Sequence, residues 1–137
     1  MKYMLMLQGS QAEYEAMGAD TSSGAPVWTE EDLRAMVQFM QKLNEDLAAS
    51  GELVDGQGLT EPSKAGFVTA GEDGRPVLSD EKYGVDQQVL AGYWLLECES
   101  FERATEIAAR VHQCPGPQGA SNPPVIVRPV AEGPPAG

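Results

Sequence analysis

The sequence predicts an α+β fold, in which an antiparallel sheet carries two helices on one face and a β-hairpin is inserted between its halves. Three observations point there. Two capped amphipathic segments, 28–51 and 101–112, are separated by several runs of strand character. The order is strand, helix, strand, hairpin, strand, helix, strand, a split β-α-β pattern of the ferredoxin-like type with a hairpin added. Its 137 residues, 42% hydrophobic and 22% charged, suffice for one core but not for two. The expectation is a single domain over 1–130, with 131–137 as a disordered tail.

Taken in order, "KYMLMLQ" (2–8) is a first strand by length and apolar density. Residues 9–27, rich in Gly, Ser and Ala, read as a long connection, and connections of that length are often functional covers. Thr29 with Asp32 makes an N-terminal capping pattern, Glu30 and Glu31 favour the positive end of the helix dipole, and Gly51 supplies a left-handed stop. Between them Leu33, Met36, Val37, Met40, Leu43 and Leu47 form one apolar stripe, read first as core and second as a pliable pocket wall. "ELVDGQGL" (52–59) is a strand interrupted by glycines; Gly56-Gln57-Gly58 lacks the rest of a dinucleotide fingerprint and fits a bulge or a close backbone approach.

"KAGFVTA" and "RPVLS" flank Asp73-Gly74 and make the hairpin. "VLAGYWLLEC" (89–98) has the apolar and aromatic content of a central strand. Ser100 caps a helix over 101–112, with Phe101, Ala104, Ile107, Ala108 and Val111 facing inward and Glu106–Arg110 as an i,i+4 pair. The Pro/Gly segment 113–124 excludes regular structure, and "VIVRPV" (125–130) is a last strand. Helices on one face would leave the other bare, so a second copy of the chain is expected to cover it, with Leu95, Val125 and Val127 as candidate contacts.

A formal charge of −12, with nine Lys and Arg against 21 Asp and Glu and no basic cluster, argues against nucleic acid and anionic membrane as partners. No apolar run approaches the ~20 residues of a membrane span. Cys98 and Cys114 form no disulfide framework, which fits a reducing, cytoplasmic location. His112 and Cys114 are too few to make a zinc site, and no cofactor or metal is expected.

"MKYMLMLQG", "LNEDLAASGELVDGQGL", "AGYWLLE" with the helix after it, and "VIVRPV" together resemble the YCII-related proteins, in particular the branch called DGPF-domain proteins. The resemblance spans 1–130 and implies a dimeric ferredoxin-like fold of the α/β-barrel type, with a cleft in each subunit. The branch's Asp-Gly-Pro-Phe motif falls on Asp80-Glu81-Lys82-Tyr83, keeping the Asp and placing an aromatic at the Phe. Relatives carry a His–Asp pair with the His on the first helix, but the helix at 28–51 has no His, so that constellation does not carry over.

Two functional classes follow. In one the protein is a dimeric small-molecule-binding or accessory module, with a cleft near Asp80 and a metabolite or a protein as its partner. In the other it is a small enzyme of isomerase or lyase type. There Asp80 would be the catalytic acid/base, with a pKa raised beside an apolar cleft. The ligand-binding candidates are Tyr83, Tyr93 and Arg128: two phenols and a bidentate cation. Each has a plain alternative, a turn for Asp80, core or interface for the tyrosines, and a surface ion pair for Arg128.

Overall fold

The computed structural model describes residues 1–18, 22 and 24–133. The elements are β1 (Lys2–Gly9), α1 (Gln11–Met17), α2 (Glu30–Ala49), β2 (Leu53–Gly58), β3 (Val68–Ala70), β4 (Pro76–Leu78), β5 (Val89–Glu97), α3 (Phe101–His112) and β6 (Ile126–Pro129), with a 3₁₀ turn at Pro62–Lys64. Four strands form an antiparallel sheet in the order β2-β5-β1-β6, and β3 and β4 pair separately. The protein is therefore α+β with an antiparallel sheet and three helices, in a strand order compatible with the ferredoxin-like pattern.

The third helix corrects the reading of 9–27 as one long connection. Ser10 Oγ accepts the Glu13 backbone N–H at 3.2 Å, an N-cap on a seven-residue helix, and donates to Glu13 Oε1 at 3.0 Å. So short a helix is stable only through packing, and it buries Ala12 and Ala16. Residues 19–21 and 23 of the expected connection, and 134–137 of the expected tail, lie outside the described residues.

α2 starts on a capping box, with Asp32 N–H on Thr29 Oγ1 at 3.1 Å and Thr29 N–H on Asp32 Oδ2 at 3.0 Å, and Gly51 follows it at φ 80°. α3 starts on Ser100, whose Oγ accepts the Arg103 N–H. The Glu106–Arg110 pair does not form. Glu106 instead meets Arg103 at 3.0 Å, while Arg110 crosses to Asp46 on α2 at 2.6 Å. Arg103 also grips Glu52 with two bonds of 2.9 Å, so α3 is tied both to α2 and to the start of β2.

Strand alternation divides the sheet. Tyr3, Leu5, Trp94 and Leu96 face the helices and bury against Leu43 and Leu47 of α2 and Ala104, Ile107, Ala108 and Val111 of α3. Met4, Met6, Tyr93 and Leu95 alternate with them toward the opposite face, outside that core. Leu95 is on this open face as expected, but Val125 and Val127 pack against the core, and Ile126 takes the outward position. Among the described residues no helix is long and apolar enough to cross a membrane.

Candidate functional site

A cleft of about 510 Å³ opens on the helix side of the sheet, between α1, the first half of α2 and the ends of β1, β2 and β5. The strands build its floor by omission. Gly56 pairs with Trp94 and Gly58 pairs with Gly92, so three positions on the cleft side carry no side chain. At Gly56 a Cβ would come within 3.3 Å of the Trp94 ring, whereas at Gly58 it would meet nothing within 4 Å. The Gly56-Gln57-Gly58 pair thus makes room for an indole and for the cleft. A shift in register between Leu7 and Gln8 lets both consecutive residues reach the wall.

The walls are mainly apolar: Leu7, Met17, Trp28, Met36, Met40 and the Trp94 ring. Met36 and Met40 come from the stripe of α2, whose later turns bury Leu43 and Leu47. One helix face thus serves as pocket wall at its start and as core at its end.

Polar groups are few and mostly held. Trp94 Nε1–H donates to Asn44 Oδ1 at 2.8 Å, so what Asn44 offers a ligand is its N–H groups. The Tyr14 hydroxyl points at two backbone carbonyls, Leu59 O just past β2 at 3.0 Å and Ala91 O of β5 at 3.2 Å. Burial pushes the Tyr14 phenol above its ordinary pKa, so it remains a neutral donor. Glu13 accepts from Ser10 Oγ, from Ser121 Oγ at 2.9 Å and from Gln88 Nε2. Through Ser121 the Pro/Gly segment 113–124 is strapped across the cleft, and it continues into a second chamber of about 320 Å³ bounded by His112, Cys114 and Val125. Burial pushes the Cys114 thiol up to about 11, so it is not a thiolate at neutral pH. Among the described residues no three His, Cys, Asp or Glu side chains are placed to hold a metal ion.

The residues expected to form the site are scattered. Asp80 is exposed and lines neither chamber. It does not make the turn either, since Ser79 Oγ accepts the Glu81 N–H at 2.9 Å. Tyr83 packs edge-on against Phe67 with ring centroids 5.0 Å apart, bracing the hairpin rather than walling the cleft. After it the chain returns to α1, where Val85 O accepts the Ala12 N–H. Tyr93 is itself one of the residues lining the cleft, while alternation turns its ring toward the open face, where its hydroxyl donates to Asp55 Oδ2 at 3.1 Å. That bond holds the Tyr93 phenol above its ordinary pKa. Arg128 is exposed beside Met4 on the same open face.

Cleft and fold together define an α+β protein with an open, largely apolar cleft on the helix side of its sheet. The chain matches no protein-family model and no curated protein.

Proposed function

We propose that the protein binds a small organic molecule in the glycine-floored cleft and works as a homodimer related to the YCII group. The cleft carries this reading: its volume of about 510 Å³ lies within the roughly 300–1,000 Å³ usual for ligand sites, and apolar walls with a few fixed polar groups are their usual chemistry. Strand order and the unoccupied sheet face support the kinship and the dimer. Binding, rather than catalysis by Asp80, is favoured because that carboxylate stands in solvent outside both chambers.

Gly58→Leu tests the site. The position has ordinary backbone geometry and open space, so leucine would project into the cleft without displacing the strand. Melting should stay within about 0.5 kcal/mol of wild type. Affinity for molecules found by fluorescence screening should fall more than about tenfold, or about 1.4 kcal/mol. Unchanged affinity in a folded Gly58→Leu variant rules the cleft out.

A further inference from the structure

The two chambers share part of their wall, and the chemistry of that shared wall indicates which ligands fit. Leu7, Gln8, Glu13, Trp28, Met40, Ala120 and Ser121 line both. Within this set Glu13 is the one charged residue and Trp28 the one aromatic. Glu13 is held by three neutral donors, Ser10, Gln88 and Ser121, and among the described residues no cation pairs with it. Among the described residues no Lys, Arg or His lines the larger chamber. A carboxylate at the mouth shared by two largely apolar chambers, with no cation beside it, keeps its charge available to a cationic group that enters them. Here three separate parts of the chain, Ser10, Gln88 and Ser121, fix the carboxylate in place without supplying a positive charge.

Resting on the cleft reading above, we propose that the ligand is an organic cation: an ammonium group at the Glu13–Trp28 junction, with an apolar body in the larger chamber. The Trp28 ring at the junction can attract a desolvated ammonium, and thioethers such as Met36 and Met40 adapt to an irregular apolar body. Anionic ligands are disfavoured twice. No cation in the larger chamber would receive them, and the chain's charge of −12 repels them on approach.

The test is a charge series on one body. Phenethylammonium, benzyltrimethylammonium, the neutral 2-phenylethanol and phenylacetate are titrated against the full chain, with tryptophan fluorescence and calorimetry as readouts. The ammonium compounds should bind at least about tenfold more tightly than the alcohol, and phenylacetate should not bind measurably. Glu13→Gln should remove most of that preference, read as the ratio of ammonium to alcohol affinity within the variant. Glu102→Gln, an exposed carboxylate on α3 outside both chambers, should change nothing, which separates the site from general attraction to an acidic protein. Equal affinity for alcohol and ammonium, tighter binding of phenylacetate, or no saturable ammonium binding at millimolar concentration overturns the proposal. The wild-type series stands even if Glu13→Gln fails to fold. If the alcohol binds and Gly58→Leu abolishes it while charge has no effect, the cation inference falls and the cleft reading survives.

Discussion

Glu52 is the least exposed carboxylate among the ion pairs of the described residues, and it ties α3 to the start of β2. Its side chain is 14% exposed and takes two bonds from Arg103, whose own side chain is 37% exposed. The guanidinium holds the Glu52 carboxyl below the usual carboxylate range, against an opposing effect of burial. Arg110 and Lys42 lower Asp46 in the same way, but that carboxyl is open to water and contributes less. Because both folded-state values are depressed, the stabilisation is fully present above the unfolded carboxylate range near pH 4 and fades as pH falls through the lower folded values. Glu52→Gln should cost about 1–2 kcal/mol at pH 7, discounted for the partial exposure of Arg103, and progressively less toward pH 3. Urea melts of both forms across that range would show it, and a pH-independent difference would assign the loss to packing instead. Individual partners of this kind were not legible in the sequence. Spacing suggested Arg110 for Glu106, but a guanidinium takes the carboxylate within reach in three dimensions, and for Arg110 that is Asp46 on another helix.

Among the elements, α2 and α3 were legible from an apolar stripe and a capping residue, and the four sheet strands from their length and apolar content between turn signals. α1 was not, because seven residues of Ala, Glu, Gln, Tyr and Met within a Gly/Ser/Ala-rich stretch show too little periodicity to separate from a loop. The signal that was present is Ser10-x-x-Glu13, the capping-box spacing placed directly after a strand. The site was missed for a related reason. Its floor is defined by side chains that are absent at Gly56, Gly58 and Gly92, and its rim by α1, so no cluster of reactive residue types marks it. Asp80 and Tyr83 drew notice as a carboxylate and a phenol near an aromatic strand, yet the loop that carries them swings outside the cleft. Since α1 is both cap-dependent and part of the wall, Ser10→Ala should lower stability by about 1 kcal/mol, or roughly 3–5 °C in melting. It should also weaken ligand binding. A variant that melts lower yet binds as wild type would show that α1 merely covers a site formed without it.

For the whole molecule the open sheet face is the main unfinished surface. Met4, Met6, Leu95 and Ile126 form an apolar strip there, beside Tyr93 and Arg128. A second copy related by a two-fold axis would cover the strip with an identical one, and about 800 Å² from each partner is the usual area of a stable association. Sedimentation at micromolar concentration should give a dimer, and Met6→Glu should shift it to monomer; a wild-type monomer would leave the face uncovered in solution. Location of the ligand bears most directly on function. The measurement is a ¹⁵N-labelled amide spectrum recorded against a mixed panel of small aromatic amines, alcohols and carboxylates. Binding in the cleft should move the amides of Gly9, Gly58 and Gly92 and the indole N–H signals of Trp28 and Trp94, and leave 79–86 in place. Shifts confined to Asp80–Tyr83 or to the open face, with the glycine floor unmoved, would contradict it.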